Sequence, residues 1–516
     1  MSETFQETLD RFGDLNLLSF SKYSERGIEK ESLRVSGSSI SSSDHPQEFG
    51  AALTNPHITT DFSEALLEVI TGKRKKIDDS IDDLEMVLAF CHQNTEDIIW
   101  PGSIPCSIED EDKIRIAEYG TSNSAKLKEL YRKGLSLRYG SMMQCVSGIH
   151  YNFSLSDNFF DIWSGQNGRS KDFQNKKYLS LVRNFRRNAW LLLYLFGASP
   201  VVPNSFIGKR ENFLNSLNKE DSFLEHATSL RMSQLGYMSE AQDDLNIAYN
   251  SLEEYTDNLK LALTEQHPPY QEIGIKDGDE FLQINDCIIQ IENEYYSSIR
   301  PKRVVGSGER PINVLKKKGI EYVEVRCMDN NPFLNSSIDK ETAYFIEAFL
   351  MTSLVDEDTP CLSEEIVEIQ NNWHSVVKEG RKPNLNLKIK GESMPLKDAA
   401  NIFLEKMERF ANSIPEEAKD LKKNILNSIK SQKEKIINAD ITPSGRIIRE
   451  MAKNNWTWQE FNQAYFKKNK NFFNEFKKDL SLFDNSAKES FVELKKIESK
   501  KEIPFENFLK EYLSSI

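Results

Sequence analysis

The sequence predicts an α+β fold built on a largely antiparallel sheet. Three patterns carry that expectation. Helix-period and strand-period segments do not alternate strictly, as a doubly wound parallel sheet would require. Several short runs favour β-branched and aromatic residues and set one apolar face against one polar face. From about residue 376 the chain turns lysine-rich and helical. With 516 residues it exceeds one ordinary core. Residues 1–375 are therefore expected to form the main body, and 376–516 a Lys-rich helical C-terminal subdomain.

Phe5, Leu9, Phe12, Leu15 and Leu18 recur at helical spacing, predicting an amphipathic helix over residues 3–20. The serine-rich run 36–44 reads as a surface turn. Residues 77–98, 124–143 and 177–197 carry helical patterns. "SGIHYNFSL" (147–155), "FLQINDCIIQIENEYY" (281–296) and "IEYVEVRCM" (320–328) read as strands, whereas "HITTDFSEALLEVIT" (57–71) suits either period. Beyond residue 376, three long charged segments read as helices with a solvated face.

Composition narrows the function. Hydrophobic residues make up 39% and charged residues 28%, with a net charge of −14, the profile of a soluble globular protein. Acidity of this size argues against nucleic acid, whose phosphates call for a basic surface. The start "MSETFQETLDRFGDLNLL" has no export-signal pattern, and no segment approaches the ~18 apolar residues of a membrane span. A cytoplasmic protein without membrane contact is expected. Six scattered cysteines form neither a zinc motif nor a disulfide framework and read as reduced core residues.

The polar strand faces carry the chemistry. Same-parity residues of a strand share a side. That places Glu29 with Glu31 in "GIEKESLRV", Gly148 with His150 and Asn152, and Tyr322 with Glu324 and Arg326. The same rule groups Gln290, Glu292 and Glu294. Glu64 and Glu68 share a face under either period, with Asp61 just upstream. Two carboxylates ~6.7 Å apart on one strand face repel by roughly 2.5 kcal/mol at an effective dielectric of ~20. A hard divalent cation such as Mg²⁺ offsets that repulsion directly. Carboxylates with Mg²⁺ point to phosphoryl chemistry, yet the chain lacks a glycine-rich phosphate loop. Phosphates would then be held by side chains, with Arg132, Arg231, Arg300, Lys302, Arg303 and Arg326 as candidates.

Longer strings carry a resemblance. "GIEKESLRV", "ALTNPHITTDFSEALLEVIT", "LYRKGLSLRYGSMMQCVSGIHYNFSL", "ATSLRMSQLGY", "LQINDCIIQIENEYYSSIRPKR" and "GIEYVEVRCMDNNPF" occur in order across nearly the whole chain. They resemble the proteobacterial type of glutamate–cysteine ligase, or gamma-glutamylcysteine synthetase. The resemblance implies a curved antiparallel sheet related to that of glutamine synthetase, with residues 1–375 as the catalytic domain. It implies metal ligation by Glu29, Glu31, Asp61, Glu68, His150 and Glu324. Tyr131, Leu135, Gln144, Tyr237 and Tyr296 would line a cysteine pocket, and Arg132, Arg231 and Arg326 would hold anionic groups.

The reaction so implied joins L-glutamate, through its side-chain carboxylate, to L-cysteine at the expense of ATP. Mg²⁺ or Mn²⁺ is the implied cofactor, a gamma-glutamyl phosphate the implied intermediate, and a monomer the implied state. Three alternatives stand beside this reading: a related carboxylate–amine ligase with another amine acceptor, a non-catalytic protein that keeps the scaffold, and a two-metal phosphoesterase. Tyr295 and Tyr296 have opposite parity, so a regular strand would present only one of them to the site.

Overall fold

The computed structural model describes residues 3–165, 171–208, 210, 212–236, 240–243, 245, 247–306 and 309–516. Its principal strands are β1 (Ser24–Ser36), β2 (Ile58–Thr60), β3 (Leu66–Ile70), β4 (Gly148–Leu155), β5 (Ile299–Lys302) and β6 (Tyr322–Asp329). They form one sheet in the order β5-β6-β4-β1-β3-β2, and every neighbouring pair is antiparallel. The two-residue strands Ser39–Ile40 and Ile98–Ile99 pair the far end of β1. The mixed helix and antiparallel-sheet expectation is met.

Around the sheet pack α1 (Phe5–Asp14), α2 (Ile77–Gln93), α3 (Asn123–Tyr139), α4 (Lys171–Asn188), α5 (Trp190–Phe196), α6 (Lys340–Val355), α7 (Leu396–Ser413), α8 (Lys419–Ile437), α9 (Trp458–Asn474), α10 (Ser481–Glu498) and α11 (Phe505–Ser514). Period-2 alternation decides which sheet face meets helices. Ile28, Tyr151, Phe153, Val323 and Val325 are wholly buried in a cluster shared with α2, α4, α6, α7 and α8. Each such side chain contributes about 1.5–3 kcal/mol by leaving water. The alternate residues, Glu29, Glu31, His150 and Glu324, take the opposite face by necessity. Below the sheet, Arg26 donates from Nε and Nη2 to Glu347 of α6 (2.6 and 2.9 Å), and Tyr151 donates to the same carboxylate at 2.8 Å.

Several elements are shorter than their patterns. Thr4 caps α1 in a reciprocal capping box with Glu7, and the helix ends at Asp14 before Asn16, whose φ is 57°. Gly140, at φ 82°, terminates α3 at Tyr139. The 177–197 pattern is two helices, α4 and α5, that break at Asn188–Ala189.

Two predictions are corrected. Residues 281–296 are not a strand beyond Glu280–Phe281, and Glu292–Glu294 is one 3₁₀ turn. Side chains have replaced ladder bonds there: Gln290 Oε1 accepts from the Ile284 amide, Asn285 Oδ1 from the Cys287 amide and Glu294 Oε2 from the Gln290 amide. The second is a hairpin within the helical C-terminal third, Asn386–Ile389 paired with Glu392–Pro395. Lys390 and Gly391, at φ 51° and 83°, make the tight turn whose twist suits paired strands.

Candidate active site

The polar face of the sheet is the floor of a cavity of about 350 Å³. Register explains how distant carboxylates meet. Glu29 stands opposite His150 across β1 and β4, and Glu31 stands opposite Glu68 across β1 and β3. Glu324 lies opposite Asn152, one step along β4 from His150 on the same face. A bulge between Val325 and Met328 leaves Arg326 on this side as well, with Nη1 2.6 Å from Glu324 Oε1.

His150 is the hub. Its Nδ1 lies 3.2 Å from Glu29 Oε2 and 3.7 Å from Glu324 Oε1, and its Nε2 is 3.6 Å from Glu31 Oε1. Asn152 donates to Glu29 Oε1 at 2.9 Å, and the Gly148 amide donates to Glu31 Oε2 at 2.8 Å. Asp61 sits in the turn after β2, where its carbonyl accepts from Arg132 Nε.

The carboxylates divide into two electrostatic groups. Burial pushes Glu324 up, but Arg326, Lys302 and His150 outweigh it and hold the group well below the usual carboxylate range. Burial likewise opposes ionisation of Glu29, yet the hydrogen bond from His150 leads the effects that bring it below its ordinary value. Glu31 is raised, by burial first and then by Asp61, although His150 opposes the shift. Glu68 is raised well above its ordinary value by burial and then by Glu29, Asp61 and Glu31. The protein's own cations thus serve the Glu324 end and leave the Glu68 end short of positive charge.

That imbalance fits a divalent cation. One ligand atom each from Glu29, Glu68 and His150 lie within 4.8 Å of one another. Glu324 Oε2 is buried without a hydrogen-bond partner among the described residues, its ion pair with Lys302 being 3.6 Å long. The carboxylate oxygens, which outnumber the single imidazole, suit a hard divalent cation such as Mg²⁺ or Mn²⁺.

The walls come from elsewhere. Helix α3 begins at Ser122, whose side chain accepts from the Ala125 amide, and its spacing of three and four brings Lys128, Tyr131, Arg132 and Leu135 to the cavity. Gly134 lets the Gln283–Gln290 loop approach: a Cβ there would collide with Gln290 Oε1. Gln290 Nε2 donates to the Tyr131 carbonyl across that contact. Gln144 Nε2 donates to the Tyr296 hydroxyl at 3.2 Å. Arg231 is immobilised by Asp329 at 2.8 Å and by the carbonyls of Arg326 and Met328. Gly148 makes room for it, since a Cβ would lie 2.7 Å from its Nη1. Arg132 stacks over the Tyr119 ring at 4.6 Å.

Of the sequence-predicted residues, Glu29, Glu31, Asp61, Glu68, His150, Glu324, Tyr131, Leu135, Gln144, Tyr296, Arg132, Arg231 and Arg326 all line this one cavity. Tyr237 lies outside the described residues. Tyr295 is buried in the core while Tyr296 lines the cavity, although no strand runs through them and the 3₁₀ turn Glu292–Glu294, not parity, precedes the pair. Glu64 does not join: the chain turns after Thr60, and its carboxylate accepts from the amides of His45 and Glu118. Glu292 and Glu294 are structural, paired to Arg310 and to Arg138 with Tyr139. Arg303 donates to the Gly319 carbonyl, whereas Arg300 and Lys302 do line the cavity. Not foreseen were Lys128, one helical turn before Arg132, and Tyr512 of α11.

Carboxylates and guanidinium groups gathered in one cavity on an antiparallel sheet are the makings of an enzyme active site. The chain matches the glutamate–cysteine ligase family model over residues 10–376. It is 40% identical to a glutamate–cysteine ligase of Pseudomonas aeruginosa, covering 95% of this chain and 94% of that one. A glutamate–cysteine ligase of Pseudomonas syringae pv. syringae is 41% identical, covering 100% and 98%. The crystal structure of a glutamate–cysteine ligase from Francisella tularensis in complex with AMP superposes with a TM-score of 0.89 at 35% identity, over 96% of this chain and 98% of that one. The protein belongs to the glutamate–cysteine ligase family.

Proposed function

We propose that this protein joins the side-chain carboxylate of L-glutamate to the amine of L-cysteine, with ATP converted to ADP and phosphate. The observation that carries the reading is the convergence of six predicted metal-site residues and three arginines on one cavity, in a chain of this family.

A carboxylate resists attack by an amine, so the glutamate side chain first takes the γ-phosphoryl group of ATP. The cysteine amine then attacks the acyl carbon, and the C–O bond to the phosphoryl group breaks. Glu29, Glu31, Asp61, Glu68, His150 and Glu324 would hold Mg²⁺ or Mn²⁺, which supplies charge neutralisation at the nucleotide phosphates and the acceptor oxygen. Arg231, fixed by Asp329, and Arg132, stacked on Tyr119, offer preorganised positive charge to anionic substrate groups. Arg326 does the same beside Glu324. Tyr131, Leu135, Gln144 and Tyr296 receive the cysteine, with Tyr237 added by the family resemblance alone. The acyl phosphate has to be kept from water until the amine attacks, which a closing loop would provide.

The proposal includes a sheet curved like that of glutamine synthetase, a catalytic region 1–375 with an appended helical region 376–516, and a cytoplasmic monomer. No helix of the described residues is long and apolar enough to cross a membrane. The test is phosphate release from ATP. Release that requires both glutamate and cysteine supports the reading, whereas release indifferent to either amino acid refutes it.

A further inference from the structure

We propose that Tyr512, on the last helix α11, forms part of the substrate-binding wall and positions the amine acceptor. The inference rests on the function proposed above and assigns a residue far in sequence from the rest of the site.

Tyr512 lines the reaction cavity. Leu127 and Tyr131 of α3 and Ile291 line the same cavity, and all three pack against the cluster that includes Leu509 of α11. Tyr131 and Tyr296 are the residues proposed to receive cysteine, so Tyr512 stands at the acceptor end rather than over the carboxylate floor.

The wall is built and held. Arg310 has a fully buried side chain. Its Nε and Nη2 donate to Glu292 at 3.2 and 3.1 Å, Nη1 donates to the Tyr512 carbonyl at 3.2 Å, and the guanidinium lies 4.4 Å from the centre of the Tyr512 ring. Glu292 opens the 3₁₀ turn that carries Asn293. One cation therefore ties the helix to the loop flanking the acceptor pocket. At the other end Asn123, in the first turn of α3, donates its amide to Glu502 at 2.7 Å and its side chain to the Ile503 carbonyl at 2.8 Å. Leu509 is buried in a cluster with Leu130 and Ile284.

A helix of ten residues is too short to persist alone in water. Docking against α3 and Arg310 fixes where it lies, and that position faces the Tyr512 ring into the cavity. The half-buried ring supplies an apolar surface beside Tyr131 and keeps solvent from that side. Burial also pushes its hydroxyl up to about 12, so it stays neutral across the working range. A neutral aromatic wall orients a small amine by contact and leaves the amine free to attack.

The experiment is steady-state kinetics on full-length Tyr512→Ala and Tyr512→Phe, with each of the three substrates varied in turn. In Tyr512→Ala the KM for cysteine should rise about tenfold, while KM for ATP and glutamate and the kcat stay within about twofold. Phosphate released should also exceed peptide formed, because water gains access. Tyr512→Phe should keep wild-type constants. If Tyr512→Ala fails to fold, Tyr512→Ser, which also removes the ring from the wall, carries the same expectation. An unchanged KM for cysteine in the folded variant overturns the inference, as does an equal loss in every constant. A wild type without phosphate release dependent on both amino acids would overturn the proposed function as well, so the two failures are distinguishable.

Discussion

Glu68→Gln should make the metal-free protein more stable and abolish most of its response to Mg²⁺. Glu31 and Glu68 stand directly opposite on neighbouring antiparallel strands. Side chains so placed have Cβ atoms about 4.5–5.5 Å apart. Two carboxylates about 5.5 Å apart at an effective dielectric of about 20 repel by 332/(20 × 5.5), or about 3 kcal/mol. Glu68 relieves part of this by titrating well above the usual range, for which burial is the first cause and Glu29, Asp61 and Glu31 the next. The sign follows. A carboxyl raised in the folded state holds a proton that the unfolded chain has released, so its contribution to stability falls as pH rises through the raised value.

At about pH 8.5 the neutral amide should therefore stabilise the metal-free fold by about 1–3 kcal/mol. Wild type in Mg²⁺ at about 100 times its Kd should gain about 2.7 kcal/mol. With an unfolding entropy of about 2.1 cal/mol/K per residue, 516 residues give about 1.1 kcal/mol/K, so that gain is a rise of about 2–3 °C in Tm. The assay is differential scanning fluorimetry with and without Mg²⁺, with KCl matched for ionic strength. A Glu68→Gln variant that keeps the full Mg²⁺ shift, or that is less stable than wild type without metal, would refute the reasoning.

Glu324→Gln should lower kcat by about 100-fold or more with Tm held within about 2 °C, because it removes the negative charge and one of the two oxygens that a cation would bind, at a carboxylate whose Oε2 has no hydrogen-bond partner among the described residues; turnover near wild type would remove Glu324 from the metal site. Glu347→Ala should cost about 3–5 kcal/mol, measured by urea unfolding, since it strands the wholly buried Arg26 guanidinium and leaves the Tyr151 hydroxyl without its acceptor. All six cysteines are buried, and burial pushes the Cys106 and Cys327 thiols up to about 12 and Cys361 to about 11. Native protein freed of substrate should leave iodoacetamide unreacted over an hour by mass spectrometry; rapid labelling of any one thiol would mark it as accessible.

Strands β1, β4 and β6 were legible because one face packs on helices and the other does not, which writes itself as strict alternation. The same alternation placed Glu29, Glu31, His150 and Glu324 on one side before any coordinates. Family resemblance supplied Asp61, which lies in a turn that no periodicity marks. Residues 281–296 misled because β-branched and polar residues alternate there, while Gln290, Asn285 and Glu294 spend their side chains on local amides. Glu64 misled for a related reason, since parity fails once the backbone turns. Lys128 was within reach at four residues from Arg132 on the same helix. Tyr512 was not, because its place depends on Arg310 and α3, and a contact across that distance in sequence leaves no local signature.

Phosphoryl transfer to the glutamate side chain over the carboxylate floor is the central step of the proposed reaction. The direct measurement uses glutamate labelled with ¹⁸O in its side-chain carboxylate, with ATP, Mg²⁺ and cysteine, followed by mass analysis of the released phosphate. One labelled oxygen per phosphate is the predicted result, because the oxygen that receives the phosphoryl group leaves with it. Phosphate released without label would contradict the account.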